Sequence, residues 1–229
     1  MTGTNAPAAN AYATHAATLE ERLRLHGEDH PLTLAAMNRL ADAHYAQGNL
    51  ASARALEESA LATRRRVHGE THPETIAAMG NLAVTLFAQG ELAAARTLEE
   101  SALAARRELL GASHPETLAA MDNLAITLKA QGDLDAARYL EESALAASRH
   151  LYGEDHPDTL ACAWNLFSTL FKLTDCHAAI EVLHRHLLPL LDADPAHLTP
   201  KLQSIRQRLR QLVGPEPDAH HPICAPPED

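Results

Sequence analysis

The stretches NLAVTLFAQGELAAAR, residues 81–96, and NLAITLKAQGDLDAAR, residues 123–138, are near-copies set 42 residues apart. The same period runs through most of the chain. His-Pro occurs at His30-Pro31, His72-Pro73, His114-Pro115 and His156-Pro157, each step being 42 residues. Thr33, Thr75, Thr117 and Thr159 keep this register, as do Leu40, Leu82, Leu124 and Leu166. Gly48, Gly90 and Gly132 agree, and so do Ala53, Ala95, Ala137 and Ala179. A fixed period of this length marks a repeat array, in which each unit buries its apolar face only against its neighbours.

Residues 72–110 read as helix, turn, helix. Pro73 suits a first helical position, where its missing N–H costs nothing. Glu74 faces the positive end of the helix dipole. Ile76, Met79, Leu82, Ala83 and Leu86 recur at spacings of three and four, which predicts an amphipathic helix. Gln89-Gly90 ends it, glycine being able to take the left-handed conformation common after a helix. A second helix from about Leu92 has an apolar face of Leu92, Ala95, Leu98, Ala102, Leu103 and Leu109. Ala83 and Ala95 are expected where the two helices cross, because a methyl group allows close approach of the axes.

Asn-Leu-Ala, a Leu three residues on, Gln-Gly, then Leu and Ala-Arg resemble the tetratricopeptide repeat (TPR). The 42-residue period and an entry such as GETHPET, residues 69–75, are similar to the repeats of kinesin light chains and their bacterial relatives. The resemblance covers about residues 11–190. It implies an all-α, TPR-type helix-turn-helix solenoid, a right-handed superhelix with capping helices. It also implies a protein-binding scaffold and no enzyme.

The expected organisation is an unstructured start over 1–9 and a capping helix over 10–26, where Leu19 answers to Leu61 and His26 to His68. Repeats follow at 27–68, 69–110 and 111–152, with a degenerate fourth at 153–194. There Leu-Thr-Asp-Cys, residues 173–176, replaces the Gln-Gly turn, and Pro189 should stop the second helix early. A C-terminal capping helix is expected within 195–213, with Leu198, Leu202, Ile205, Leu209 and Leu212 in one stripe. The Pro-rich tail 214–229 has the composition of an unstructured segment.

Composition narrows the function. The 229 residues are 46% apolar but only 3% aromatic; Ala and Leu supply the bulk, and both suit helices. A formal net charge of −11 argues against nucleic acid and against anionic membranes. No apolar run is long enough to span a bilayer, and the N-terminal stretch lacks the regions of a secretory signal. The three cysteines, Cys162, Cys176 and Cys224, have no regular spacing, so reduced thiols and a cytoplasmic location are expected.

Candidate chemistry is sparse. The four His-Pro histidines are separated by helix-packing distances and cannot converge on one metal, whose ligands lie about 2 Å from it. They are expected to pack and hydrogen-bond at the turns. His184 and His186 point to different sides of a helix, and His220-His221 fall in the tail. Ser59, Ser101 and Ser143 repeat by register, as structural residues do. Arg54, Arg96 and Arg138 should pair with Glu58, Glu100 and Glu142 one turn on. No catalytic residue, cofactor or metal is expected.

The resemblance implies that the first helix of each pair lines a concave groove. Subtracting the core stripe leaves Asn38, Arg39, Asp42 and Tyr45 in the first repeat and Gly80, Asn81, Val84 and Phe87 in the second. Asp122, Asn123, Ile126 and Lys129 follow in the third, and Trp164, Asn165, Ser168, Phe171 and Lys172 in the fourth. Large apolar residues on a face that should be polar suggest binding. An asparagine amide can pair with a partner's backbone, and the resemblance adds that this asparagine position lines the cargo groove. Alternatively, the asparagines bond neighbouring helices and Trp164 belongs to the core. The expected partner is a protein or peptide. Self-assembly, as a homodimer or stack through a solenoid end, and a peptide-responsive regulatory module are the alternatives.

Overall fold

The computed structural model describes residues 6–213, and among them there are helices and no strand. Helix α1 (Ala6–His26) precedes four pairs. The first three are α2 (Pro31–Ala46) with α3 (Leu50–His68), α4 (Pro73–Ala88) with α5 (Leu92–Leu110), and α6 (Pro115–Gln131) with α7 (Leu134–Tyr152). In the fourth, α8 (Pro157–Lys172) pairs with α9 (Cys176–Val182), which continues through a π-helical turn, Leu183–Leu187, into α10 (Pro189–Asp192). Helix α11 (Pro200–Val213) closes the described chain. The chain divides into two compact units, Met1–Leu109 and Leu110–Asp229.

This is the expected helix-turn-helix architecture, and its local causes are the expected ones. Each His-Pro histidine caps a first helix. The Nδ1 atoms of His30, His72, His114 and His156 accept the backbone N–H two residues on, at 3.2–3.3 Å. That satisfies one of the orphan donors of a helix start. The rings of His30, His72 and His156 also stack on His26, His68 and Tyr152 at the end of the preceding helix, with centroids 4.3–4.4 Å apart.

The turn inside each pair needs a left-handed residue. Gly48, Gly90 and Gly132 hold φ of +76°, +81° and +83°. In the fourth repeat Thr174 occupies this register position and keeps φ at +58°. For a β-branched residue that is a strained conformation.

The core lies inside the pairs and, within a unit, between neighbouring pairs. Ala53, Ala95, Ala137 and Ala179 are all 0% exposed, and Ala83 is 1% exposed, so the small residues sit where axes approach. In the first unit one cluster unites Ile76, Met79, Leu82 and Leu86 with Leu61. A second joins Leu19 of α1 to Leu34, Met37 and Leu40, so α1 covers the first repeat as a cap should.

Several expectations need correction. The first cap starts at Ala6 rather than at residue 10; residues 1–5 and the tail 214–229 lie outside the described residues. Leu109 is 48% exposed and not part of the α5 core face. Pro189 does not stop the fourth second helix. The Leu188 N–H bonds the Leu183 carbonyl five residues back, and this wider turn carries the helical path past the proline. In α11, Leu202, Ile205 and Leu209 are buried as expected, but Leu212 is exposed. Arg206 donates to the carbonyls of Leu190 and Leu191. Cys162 is a free, buried thiol, and Cys224 lies outside the described residues.

Candidate functional site

In the first unit, α2 exposes Arg39, Asp42 and Tyr45, while Asn38 is half-buried and accepts from Arg64 Nη1 at 3.3 Å. On α4, Asn81 and Val84 are exposed and Gly80 is half-buried. Phe87 packs against the core of its pair. Positions three and four apart share a helix face. Each of these helices therefore carries an outward stripe that mixes polar residues with a larger apolar or aromatic one.

In the second unit, α6 exposes Asn123 and Ile126 and half-buries Asp122. Lys129 turns inward, its Nζ lying 2.6 Å from Oε1 of the buried Glu141. On α8 Phe171 and Lys172 are exposed, whereas Trp164, Asn165 and Ser168 are half-buried. Trp164 lies beside Phe167, with centroids 5.7 Å apart, and the Asn165 amide partly offsets the rise that burial gives the Asp122 carboxyl. Helix α8 differs because α11 packs on it. Ala161 is 2% exposed, whereas Ala35, Ala77 and Ala119 at the same register position are exposed.

The tetratricopeptide repeat family matches residues 33–74, 75–116 and 117–158, together more than half of the chain. The chain is a tetratricopeptide repeat protein. Repeats of this family build non-catalytic, protein-interacting scaffolds. Among solved structures, a Podosopora anserina kinesin light chain with nearly identical TPR-like repeats is 23% identical. The match covers 90% of each chain, with a TM-score of 0.73. A single-residue variant of that protein matches equally. BtubC (BKLC) from P. vanneervenii is 19% identical over 89% of this chain and 83% of its own, with a TM-score of 0.71. These likenesses show the fold. No curated protein matches.

The electrostatics of this tetratricopeptide repeat protein contain features the periodicity did not reveal. Glu57, Glu99 and Glu141 share a register position and are 6%, 7% and 1% exposed. Burial pushes the Glu57 carboxyl up to about 7; the Thr85 hydroxyl beside it offsets this in part and Asp42 adds to it. The sequence signal was a carboxylate repeating one place before the surface glutamates. The surface pairs are as expected, with Arg54–Glu58, Arg96–Glu100 and Arg138–Glu142 each at 2.7 Å. Arg54 also reaches Glu91 at 2.6 Å, and Arg138 reaches Asp175 at 3.0 Å. Each thereby ties a second helix to the turn of the following pair.

Burial pushes the Cys162 thiol up to about 12, with Asp122 adding to the shift. A thiol held protonated is a packing group and not a nucleophile. His184 is exposed and His186 buried, in keeping with opposite sides of the helix. Burial lowers the pKa of His186, although Glu154 lies 3.1 Å from its Nδ1. Among the described residues no three His, Cys, Asp or Glu side chains converge as metal ligands. No helix there is long and apolar enough to cross a membrane.

Proposed function

We propose that this protein is an adaptor that binds a segment of a partner protein along the outward face of its first helices. The observation that carries the reading is the exposure of large apolar side chains there: Tyr45 is 38%, Val84 44%, Ile126 45% and Phe171 46% exposed. Beside Val84 and Ile126 stand exposed Asn81 and Asn123, whose amides can pair with a partner's backbone. Arg39 takes the asparagine position in the first repeat, which suits an acidic group there. Asn38 and Lys129 already have partners within the chain, and Asp122 and Asn165 are half-buried, so these four contribute less.

The test compares pull-downs by wild type and by Asn81→Ala/Asn123→Ala from the source lysate. A partner captured by wild type and lost with the variant, at unchanged helicity, supports the reading. The same partners captured by both would remove these asparagines from the site.

One observation favours a second reading. Leu25, Val67, Leu109 and Leu151 stand at one register position near the ends of the second helices and are 55%, 43%, 48% and 44% exposed. Exposed apolar side chains repeated in register fit self-association. Sedimentation at two concentrations separates the readings, since only self-association makes the mass depend on concentration.

A further inference from the structure

A cavity of about 210 Å³ lies in the second unit between α6, α7 and α8, beside the start of α11. Asp122, Ser148, Asp158, Cys162 and Lys201 are among the residues that line it. Its volume is below the range of pockets for drug-sized ligands, and suits a single side chain.

The first repeat shows what such a space holds. Two repeats, or 84 residues, separate Asn38 from Asp122, Arg64 from Ser148 and Glu74 from Asp158. Arg64 is 5% exposed. Its guanidinium fills the equivalent space, bonding Asn38 Oδ1 at 3.3 Å and approaching Glu74 Oε2 to 4.0 Å. Arg106 keeps arginine at this register position in the second repeat, and Ser148 breaks the series. The serine hydroxyl falls back to Thr159 Oγ1 at 3.1 Å. In the third repeat the guanidinium is thus gone while the acidic frame is stronger, with Asp122 in place of Asn38.

Asp122 Oδ1 is buried without a hydrogen-bond partner. Burial raises its pKa against the opposing influence of Lys201. Lys201 is exposed at the rim and supplies some positive charge, but no planar fork to match a carboxylate.

We propose that this cavity is a binding site for a guanidinium group, the side chain of an arginine in a bound partner segment. The proposal deepens the adaptor reading by naming one residue that the partner carries. The ligand lies between Asp122 and Asp158, in the place that Arg64 takes in the first repeat. A guanidinium donates two parallel N–H bonds to a carboxylate, and the Asp122 carboxyl, which lines the cavity, has one oxygen without a hydrogen-bond partner. Lys201 is its competitor.

The experiment is an amide-resolved NMR titration of the full chain with N-acetyl-arginine amide. N-acetyl-citrulline amide is the neutral isostere and free arginine a third probe. The arginine amide should give saturable shifts at Ser148 and Cys162, with a dissociation constant on the order of millimolar, and the citrulline probe none. Asp122→Asn should weaken binding about tenfold, the size of a lost charged hydrogen bond. Ser148→Arg should fill the space from within and abolish binding. Lys201→Ala should strengthen it.

No saturable shift with wild type overturns the proposal, as does binding that survives Asp122→Asn undiminished. The latter arm holds even where Ser148→Arg fails to fold. Free arginine binding more tightly than the amide overturns the assignment to a partner's side chain. The titration uses no partner and avoids Asn81 and Asn123. Its failure therefore leaves the adaptor reading intact, and the adaptor reading can fail without it.

Discussion

Glu57 should make the first unit lose stability as pH rises from about 4.5 to about 7. Its carboxyl titrates at about 7 in the folded protein against an ordinary 4.5. Below pH 4.5 both folded and unfolded chains hold the proton, and burial costs no charge. Between 4.5 and 7 the unfolded chain ionises while the folded one keeps its proton, so stability falls with each unit of pH. Above 7 both are ionised and the loss levels off. At 1.36 kcal/mol per unit the total is about 3 kcal/mol. Glu57→Gln cannot ionise. Relative to wild type it should be nearly neutral at pH 4.5 and more stable by up to about 3 kcal/mol at pH 8, or roughly 6–12 °C in Tm. The structure supplies a second arm. Lys129 neutralises Glu141 across its pair, and the register equivalent of Lys129 is Tyr45. Tyr45→Lys should therefore remove most of the pH slope. Thermal melts of wild type and both variants from pH 4.5 to 8.5 decide it. A Glu57→Gln advantage that is the same at both ends would refute the reasoning.

Three further outcomes follow from packing and backbone. Thr174→Gly relieves a left-handed β-branched residue and should raise stability by about 0.5–1 kcal/mol, net of glycine's greater unfolded freedom; a lower melting temperature would count against strain there. His72→Ala loses the cap of α4 and should cost about 1 kcal/mol, whereas His72→Asn, still an acceptor, should retain most of it. Equal losses in urea melts would mean that the ring contact with His68 matters and the cap does not. Ala95→Leu should overpack the crossing of α4 and α5 at roughly 1–3 kcal/mol, and a melt matching wild type would show that the axes can part.

The fold was legible because a 42-residue register repeats every cause at once: capping histidine, left-handed glycine, crossing alanine and apolar stripe. Where a register position changes hands, legibility ended. Thr174 showed that the turn geometry outlasts its glycine, which a propensity reading does not anticipate. Pro189 was read as a stop because the i−4 bond it forbids was assumed; the i−5 bond was the escape. The exposed stripe of α4 and α6 followed from the helical period. Lys129, Asn165 and Asp122 did not, since which of two faces a boundary side chain joins depends on a neighbour such as Glu141. Nothing in the pattern of α11 said that it would cover α8. The break from Arg64 and Arg106 to Ser148 was visible in the sequence. Its meaning was not, until the buried guanidinium of Arg64 showed what the serine had left behind.

The most direct test of the adaptor reading is hydrogen exchange of the protein with and without a captured partner, resolved along the chain. Protection concentrated in α2, α4 and α6, around Arg39, Asn81 and Asn123, is the expected result. Protection at the ends of the second helices instead, around Leu25, Val67, Leu109 and Leu151, with the first helices unchanged, would contradict it.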